Sequence, residues 1–222
     1  MAPRTPTLTV DFAGDDPQAV ALVLHGGQQR SGRPVHPWNL AALRMVPFAR
    51  RIAEVGDGRI AVARLRYAVR GWNAPALAPV ADTEWALDEV RARLGDLPVA
   101  LVGHSMGGRS AIYAAGHDSV TTVVGLAPWL EQGDPSEQLG GRQVLLVHGT
   151  ADRMTSHRAT ANFANRIKAE GVDVTLVHRL GERHAMLRNA SAWHDLAADF
   201  TCSSLVGAAP SAIVDTRKDA AS

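Results

Sequence analysis

The sequence predicts an α/β protein: a three-layer sandwich whose helices cover both faces of a mostly parallel central sheet of about six to eight strands. Three observations carry that expectation. Apolar runs alternate with amphipathic stretches along most of the chain, the order that strand–helix–strand crossovers generate. The runs AVALVL, VALV and QVLLV are continuous rather than alternating, as strands buried on both faces read. Glycine-rich segments, LHGG at 24–27 and GHSMGG at 103–108, follow two of these runs and mark tight turns out of a strand.

Each element follows from its own pattern. TLTV (7–10) reads as a short first strand, with the turn-like AGDDPQ after it. AVALVLHGG (19–27) is a buried strand opening into a loop. From Trp38 to Val55 the segment WNLAALRMVPFARRIAEV has helical periodicity, and Pro47 is expected to bend or divide it. GDGR ends that helix, and IAVARLRYAV (60–69) is the next strand. ADTEWALDEVRARLG (81–95) begins with acids and ends with arginines and a glycine, the polarity that the helix dipole favours. VALVG (99–103) is a strand, MGGRSAIYAAG (106–116) a helix, VTTVVGLAPW (120–129) a strand and QVLLVHG (143–149) another. SHRATANFANRIKAEG (156–171) supplies a helix, VDVTLVHR (172–179) a strand, and roughly 190–205 the closing helix. Right-handed crossovers should join the parallel strands. With no internal repeat or hinge, a single domain is expected over 1–222, its core at 19–205 and a frayed tail at 206–222.

Composition narrows the partners. The 222 residues suit one domain with a real core. A net charge of +1, from 23 basic and 22 acidic residues, argues against a phosphate-backbone binder, so no nucleic acid partner is expected. The charges are uneven: nine arginines between 30 and 70 stand against Glu54 and Asp57. Surface solvation and ion pairing account for most of them; the sharper reading is that Arg30, Arg33, Arg66 and Arg70 attract an anionic substrate group. Cys202 is the sole cysteine, which excludes an intrachain disulfide. No run approaches the ~20 apolar residues of a membrane span, so no membrane partner is expected, and an opening segment without a long apolar stretch makes cytoplasmic residence the expectation. The oligomeric state is left open.

The chemistry concentrates at one turn. Gly103-His104-Ser105-Met106-Gly107 matches G-x-S-x-G, placed after a buried strand and before a helix. Small flanking residues let strand and helix backbones approach while the serine projects above the sheet. The Met106 N–H opens the following helix, where unpaired amides and the positive dipole end favour a developing oxyanion. A serine hydroxyl needs a base within hydrogen-bond reach. Asp152 lies just beyond one later strand and His184 in the loop after the next, and in a parallel sheet such loops emerge at the same edge. Asp118 precedes its strand, at the wrong edge, while Asp134, in the short loop after it, remains a competing acid.

LHGG at 24–27, GHSMGG at 103–108, HGTADRMTS at 148–156 and GERHAML at 181–187 together resemble the α/β-hydrolase superfamily from about residue 19 to 205. The resemblance implies that Ser105 is the nucleophile, His184 the general base and acid, and Asp152 its orienting carboxylate. It implies a second oxyanion amide at Gly27 or, in the frame of glycine-richer members, at Gln28. Serine at 105 separates the chain from the dehalogenase branch, whose elbow nucleophile is aspartate. Little chain lies between Trp129 and Gln143, where larger members carry a cap, so the implied protein is small, cap-less and open. The short N-terminal region puts the superfamily's first two antiparallel strands in doubt. The implied activity is cleavage of a small-molecule carboxylic ester or thioester through an acyl-serine, with no cofactor. Acyl transfer to another alcohol or amine, and a catalytically silent binding protein on the same scaffold, stay open as alternatives.

Several residues carry a chemical and a plainer reading. His104 fills the variable elbow position and is a candidate pocket residue. Trp129, Trp38 and Trp72 occur in loops or strand ends that could contact substrate, although aromatic faces also cover cores. Trp85 and Trp193 read as helix packing. His25 reads as architectural, and His148 as support for Asp152 or as core. The remaining histidines show no ligand spacing, and neither H-E-x-x-H nor a nucleotide-binding glycine pattern occurs.

Overall fold

The computed structural model describes residues 5–207; the expected tail beyond Gly207 lies outside them. The strands are β1 (Thr7–Phe12), β2 (Ala19–Leu24), β3 (Ile60–Arg66), β4 (Val99–His104), β5 (Val120–Leu126), β6 (Gln143–Gly149) and β7 (Asp173–Arg179). They form one seven-stranded sheet in the order β1-β3-β2-β4-β5-β6-β7. Only the edge strand β1 is antiparallel, against β3, so a single antiparallel strand stands at the N-terminal side.

The helices are α1 (Leu40–Leu43), α2 (Val46–Gly56), α3 (Ala78–Leu94), α4 (Met106–Tyr113), α5 (His157–Ala169) and α6 (Ala190–Val206). The continuous apolar strands are explained by two cores. Along β2, Val20, Leu22 and Leu24 join residues of α3, α4 and α5 on one face, whereas Ala19, Ala21 and Val23 join α2 and α6 on the other. Because side chains alternate across a strand, every residue of β2 is buried. Each fully buried leucine or valine contributes about 1.5–3 kcal/mol relative to exposure. Register aligns the strand ends: Leu24 pairs with Gly103, Gly103 with Gly125, and Gly125 with Leu146. The loops that follow β2, β4, β6 and β7 therefore leave from one edge.

Element boundaries differ from the sequence reading where the backbone finds other partners. Pro47 divides the expected helix, sitting in the first turn of α2, where a missing N–H costs nothing. β3 ends at Arg66 because the Tyr67 amide donates to His25 Nε2 and the Ala68 amide to Asp82. β5 stops at Leu126, where Ala127 turns to φ 43° before Pro128. α3 begins at Ala78, with Pro79 in its first turn, and the last residues of the expected 106–116 helix tighten into a 3₁₀ turn at Ala114–Gly116.

The arginine excess of 30–70 is largely architectural. Arg64 pairs with Asp11 across β3 and β1, and Arg51 joins α2 to Asp195 of α6 at 2.7 Å. Arg59 donates to the Val206 carbonyl. Of the four candidates for an anionic substrate group, Arg66 and Arg70 donate to the carbonyls of Val35 and Pro34, and Arg30 and Arg33 are exposed. Among the described residues, no helix is long and apolar enough to cross a membrane.

Candidate active site

Ser105 stands between β4 and α4 with φ 55° and ψ −116°, a conformation that L residues rarely adopt. The glycines around it make this turn feasible. A Cβ at Gly103 would overlap the Gly107 carbonyl, and one at Gly107 would lie 2.6 Å from the Leu24 carbonyl oxygen. The turn is held by the Ser105 amide on the Leu126 carbonyl and by the Trp129 amide on the Ser105 carbonyl.

The loop after β2 passes the elbow. His25 is buried, donating from Nδ1 to the Gly26 carbonyl and accepting the Tyr67 amide at Nε2. Burial pushes it down to about 4, so the ring stays neutral and shapes the turn. Gly27 lies against Met106, whose side chain a Cβ there would overlap. Gln28 differs from the sequence expectation: its amide donates to the Arg70 carbonyl at 2.8 Å and its carbonyl accepts the Trp72 amide. A backbone donor already engaged in a bridge cannot also serve an oxyanion, which corrects the Gln28 alternative.

Asp152 and His184 meet across 32 residues. His184 Nδ1 donates to Asp152 Oδ2 at 2.8 Å, and the carboxylate is fully buried. That contact commits Nδ1 and turns the other nitrogen, Nε2, away from the carboxylate. Asp152 Oδ1 accepts the amides of Met154 and Thr155, while Oδ2 also receives His148 Nε2 at 3.1 Å and the Thr155 hydroxyl at 2.9 Å. Burial by itself would raise this carboxyl, but the hydrogen bonds from His148, His184 and the two amides outweigh it and hold Asp152 well below the usual carboxylate range. Asp134, the competing acid, is committed elsewhere: it accepts Arg109 and the Tyr113 hydroxyl.

His104 links the base loop to the elbow. Its Nε2 donates to the His184 carbonyl at 3.0 Å, and the two rings lie 4.7 Å apart. Burial first, then the neighbouring His184, pushes His104 down to about 3. His104 is thus a neutral brace. The tryptophans separate. Trp129 is half-buried beside the elbow. Trp72 is 3% exposed and packs on Arg109, which lies between the Trp72 and Trp129 rings at 4.6 and 4.5 Å; this corrects its assignment as a pocket residue. Trp38 is 71% exposed and stacks on His36, with no contact to the elbow among its ring partners.

Two participants were missed in the sequence. Thr155 bonds Asp152, and its hydroxyl also lies 3.1 Å from His184 Nδ1; the signal was a hydroxyl three residues after the aspartate in HGTADRMTS, the spacing of a side-chain-capped turn. Arg109 was the lone charge in MGGRSAIYAAG, and a buried arginine requires partners.

A family profile described as alpha/beta hydrolase fold matches residues 25–170. No curated protein was found to match the chain by sequence. Among solved structures, an alpha-beta serine hydrolase homologue from Coxiella burnetii is 16% identical with a TM-score of 0.67, over 87% of this chain and 89% of that one. A thermophilic esterase from the Planctomycetes species Thermogutta terrifontis is 18% identical with a TM-score of 0.66, over 94% and 90%. Est1E from Butyrivibrio proteoclasticus, solved with ferulic acid bound, is 16% identical with a TM-score of 0.65, over 90% and 95%. At these identities the likeness is one of fold.

Proposed function

The chain belongs to the α/β-hydrolase fold family, and from that premise we propose that it is a serine hydrolase that cleaves a carboxylic ester or thioester through an acyl-serine intermediate. The observation that carries the reading is the His184–Asp152 contact of 2.8 Å on a loop whose His184 carbonyl accepts from His104, the residue before Ser105. That contact supports an oriented base for the hydroxyl of the strained elbow.

In this reading His184 Nε2 takes the Ser105 proton as Oγ attacks the substrate carbonyl, and Asp152 holds the imidazole tautomer and stabilises its charged form. The proton then passes from His184 to the departing alcohol or thiol. Water, activated by the same nitrogen, releases the acyl group. The amides of Met106 and Gly27 meet the oxyanion, a role for which Gln28 is unsuited because its amide is already engaged. Losing one such donor costs about 3–4 kcal/mol in the transition state. That solved esterases share the fold supports an ester as the bond cleaved.

The test is covalent. A fluorophosphonate should add once to the intact protein, at Ser105, and Ser105→Ala should lose both the label and turnover of p-nitrophenyl esters. Unchanged ester turnover in a folded Ser105→Ala protein rejects the reading; a folded wild-type chain that takes no label favours a silent scaffold.

A further inference from the structure

His148, at the carboxyl end of β6, is fully buried with both ring nitrogens engaged. Thr160 Oγ1 of α5 lies 2.8 Å from Nδ1, and Asp152 Oδ2 lies 3.1 Å from Nε2. An ionised carboxylate only accepts, so Nε2 carries the proton and Nδ1 accepts the Thr160 hydroxyl. The same Oδ2 receives His184 Nδ1. One carboxylate oxygen therefore serves two imidazoles. Resting on the triad reading above, we propose that His148 is a positioning residue that shares the Asp152 oxygen with His184 and sets how strongly the carboxylate stabilises the protonated base.

The physical reason is competition. Each donor on a carboxylate disperses the negative charge available to the others, so the His148 N–H weakens the hold of Asp152 on the His184 imidazolium. Removing it concentrates that charge on His184 and raises its basicity. The other titratable groups around the pair are known. His104 lies beside His184, with Arg44 acting on His104. Glu182 is held by Asn189, and the neighbouring Arg153 and Arg183 are exposed. On the far side, His178 of β7 pairs in register with His148, and His157 of α5 packs against His178.

The acidic limb of kcat/KM for p-nitrophenyl acetate tests the proposal in the wild type, His148→Leu, His148→Gln and Ser105→Ala. In His148→Leu the limb should move to higher pH by about 0.5 unit or more, the direction for a base that gains from its carboxylate. In His148→Gln, whose amide restores an N–H donor, it should return toward the wild-type position. A purely structural role would lower turnover and leave the limb in place. An unmoved limb in His148→Leu, with Ser105→Ala inactive, overturns the sharing and leaves the triad standing; full turnover in Ser105→Ala overturns both. Should His148→Leu fail to fold, His148→Met takes its place: its thioether has no N–H to offer Asp152, so the same upward shift is expected, and an unmoved limb there overturns the proposal.

Discussion

Ser105 occupies φ 55°, ψ −116°, and a non-glycine residue held in such a region costs on the order of 1–3 kcal/mol. Ser105→Gly removes both that strain and the proposed nucleophile. It should raise Tm, by the equivalent of about 1 kcal/mol once glycine's extra unfolded-state freedom is subtracted, while abolishing ester turnover; a lowered Tm by calorimetry would contradict the strain argument. His25 and His104 make a second residue-level prediction. Burial lowers them to about 4 and about 3, from 6.5. Between pH 6.5 and 4 the unfolded chain binds protons that the native rings refuse, so stability falls as pH falls through that window. From pH 6.5 to 4.5 each ring accounts for a loss on the order of 2–3 kcal/mol. Urea midpoints at the two pH values should record it, and His104→Gln should flatten the dependence; an identical slope in that variant would refute the assignment. Asp152, held low, adds its own loss only as pH falls below its ordinary 3.8.

At the scale of elements, α4 organises the site. Its glycines bring its first turn against the ends of β2 and β4, and one turn further on Arg109 is buried between Trp72 and Trp129, bonded to Asp134 at 2.6 Å and to Glu131 at 2.9 Å. The short connection between β5 and β6 is pinned to the helix by this cluster, which also fixes Trp129 beside the elbow. Asp134 is buried and Glu131 half-exposed, so the two acids should not be equivalent. Asp134→Ala takes the buried acid from a buried guanidinium, leaving it only the half-exposed Glu131, and should cost about 3 kcal/mol. Glu131→Ala should cost less than about 1 kcal/mol. Chemical denaturation of the two variants checks the order, and equal losses would refute it.

Across the whole molecule, most of the exposed large apolar side chains among the described residues gather at one edge. Trp38, Leu40, Leu43, Met154, Leu180 and Leu187 lie on connections that leave the carboxyl ends of parallel strands, the edge that carries Ser105, Asp152 and His184, whereas Phe12, at the end of the antiparallel β1, stands apart. That apolar edge should favour neutral esters with apolar acyl groups, with kcat/KM insensitive to salt; a steep salt-dependent advantage for a carboxylate-bearing ester would point instead to an anionic substrate met by the arginines of 30–70. The order of strands and helices and the position of the elbow were legible in the sequence, because hydrophobic period and glycine spacing are local consequences of backbone geometry. The edge at which Asp152 and His184 emerge was legible for the same reason, since parallel strands end together. Which groups meet there was not. That Asp134 serves Arg109, that the Gln28 amide bridges to Arg70, that Trp72 covers a guanidinium and that His148 reaches the oxygen used by His184 all depend on strand register and loop conformation. Most of those contacts join residues many positions apart, and even His148, four residues from Asp152, meets His184 there only through the fold, so only the folded chain, packed to exclude water, decides them.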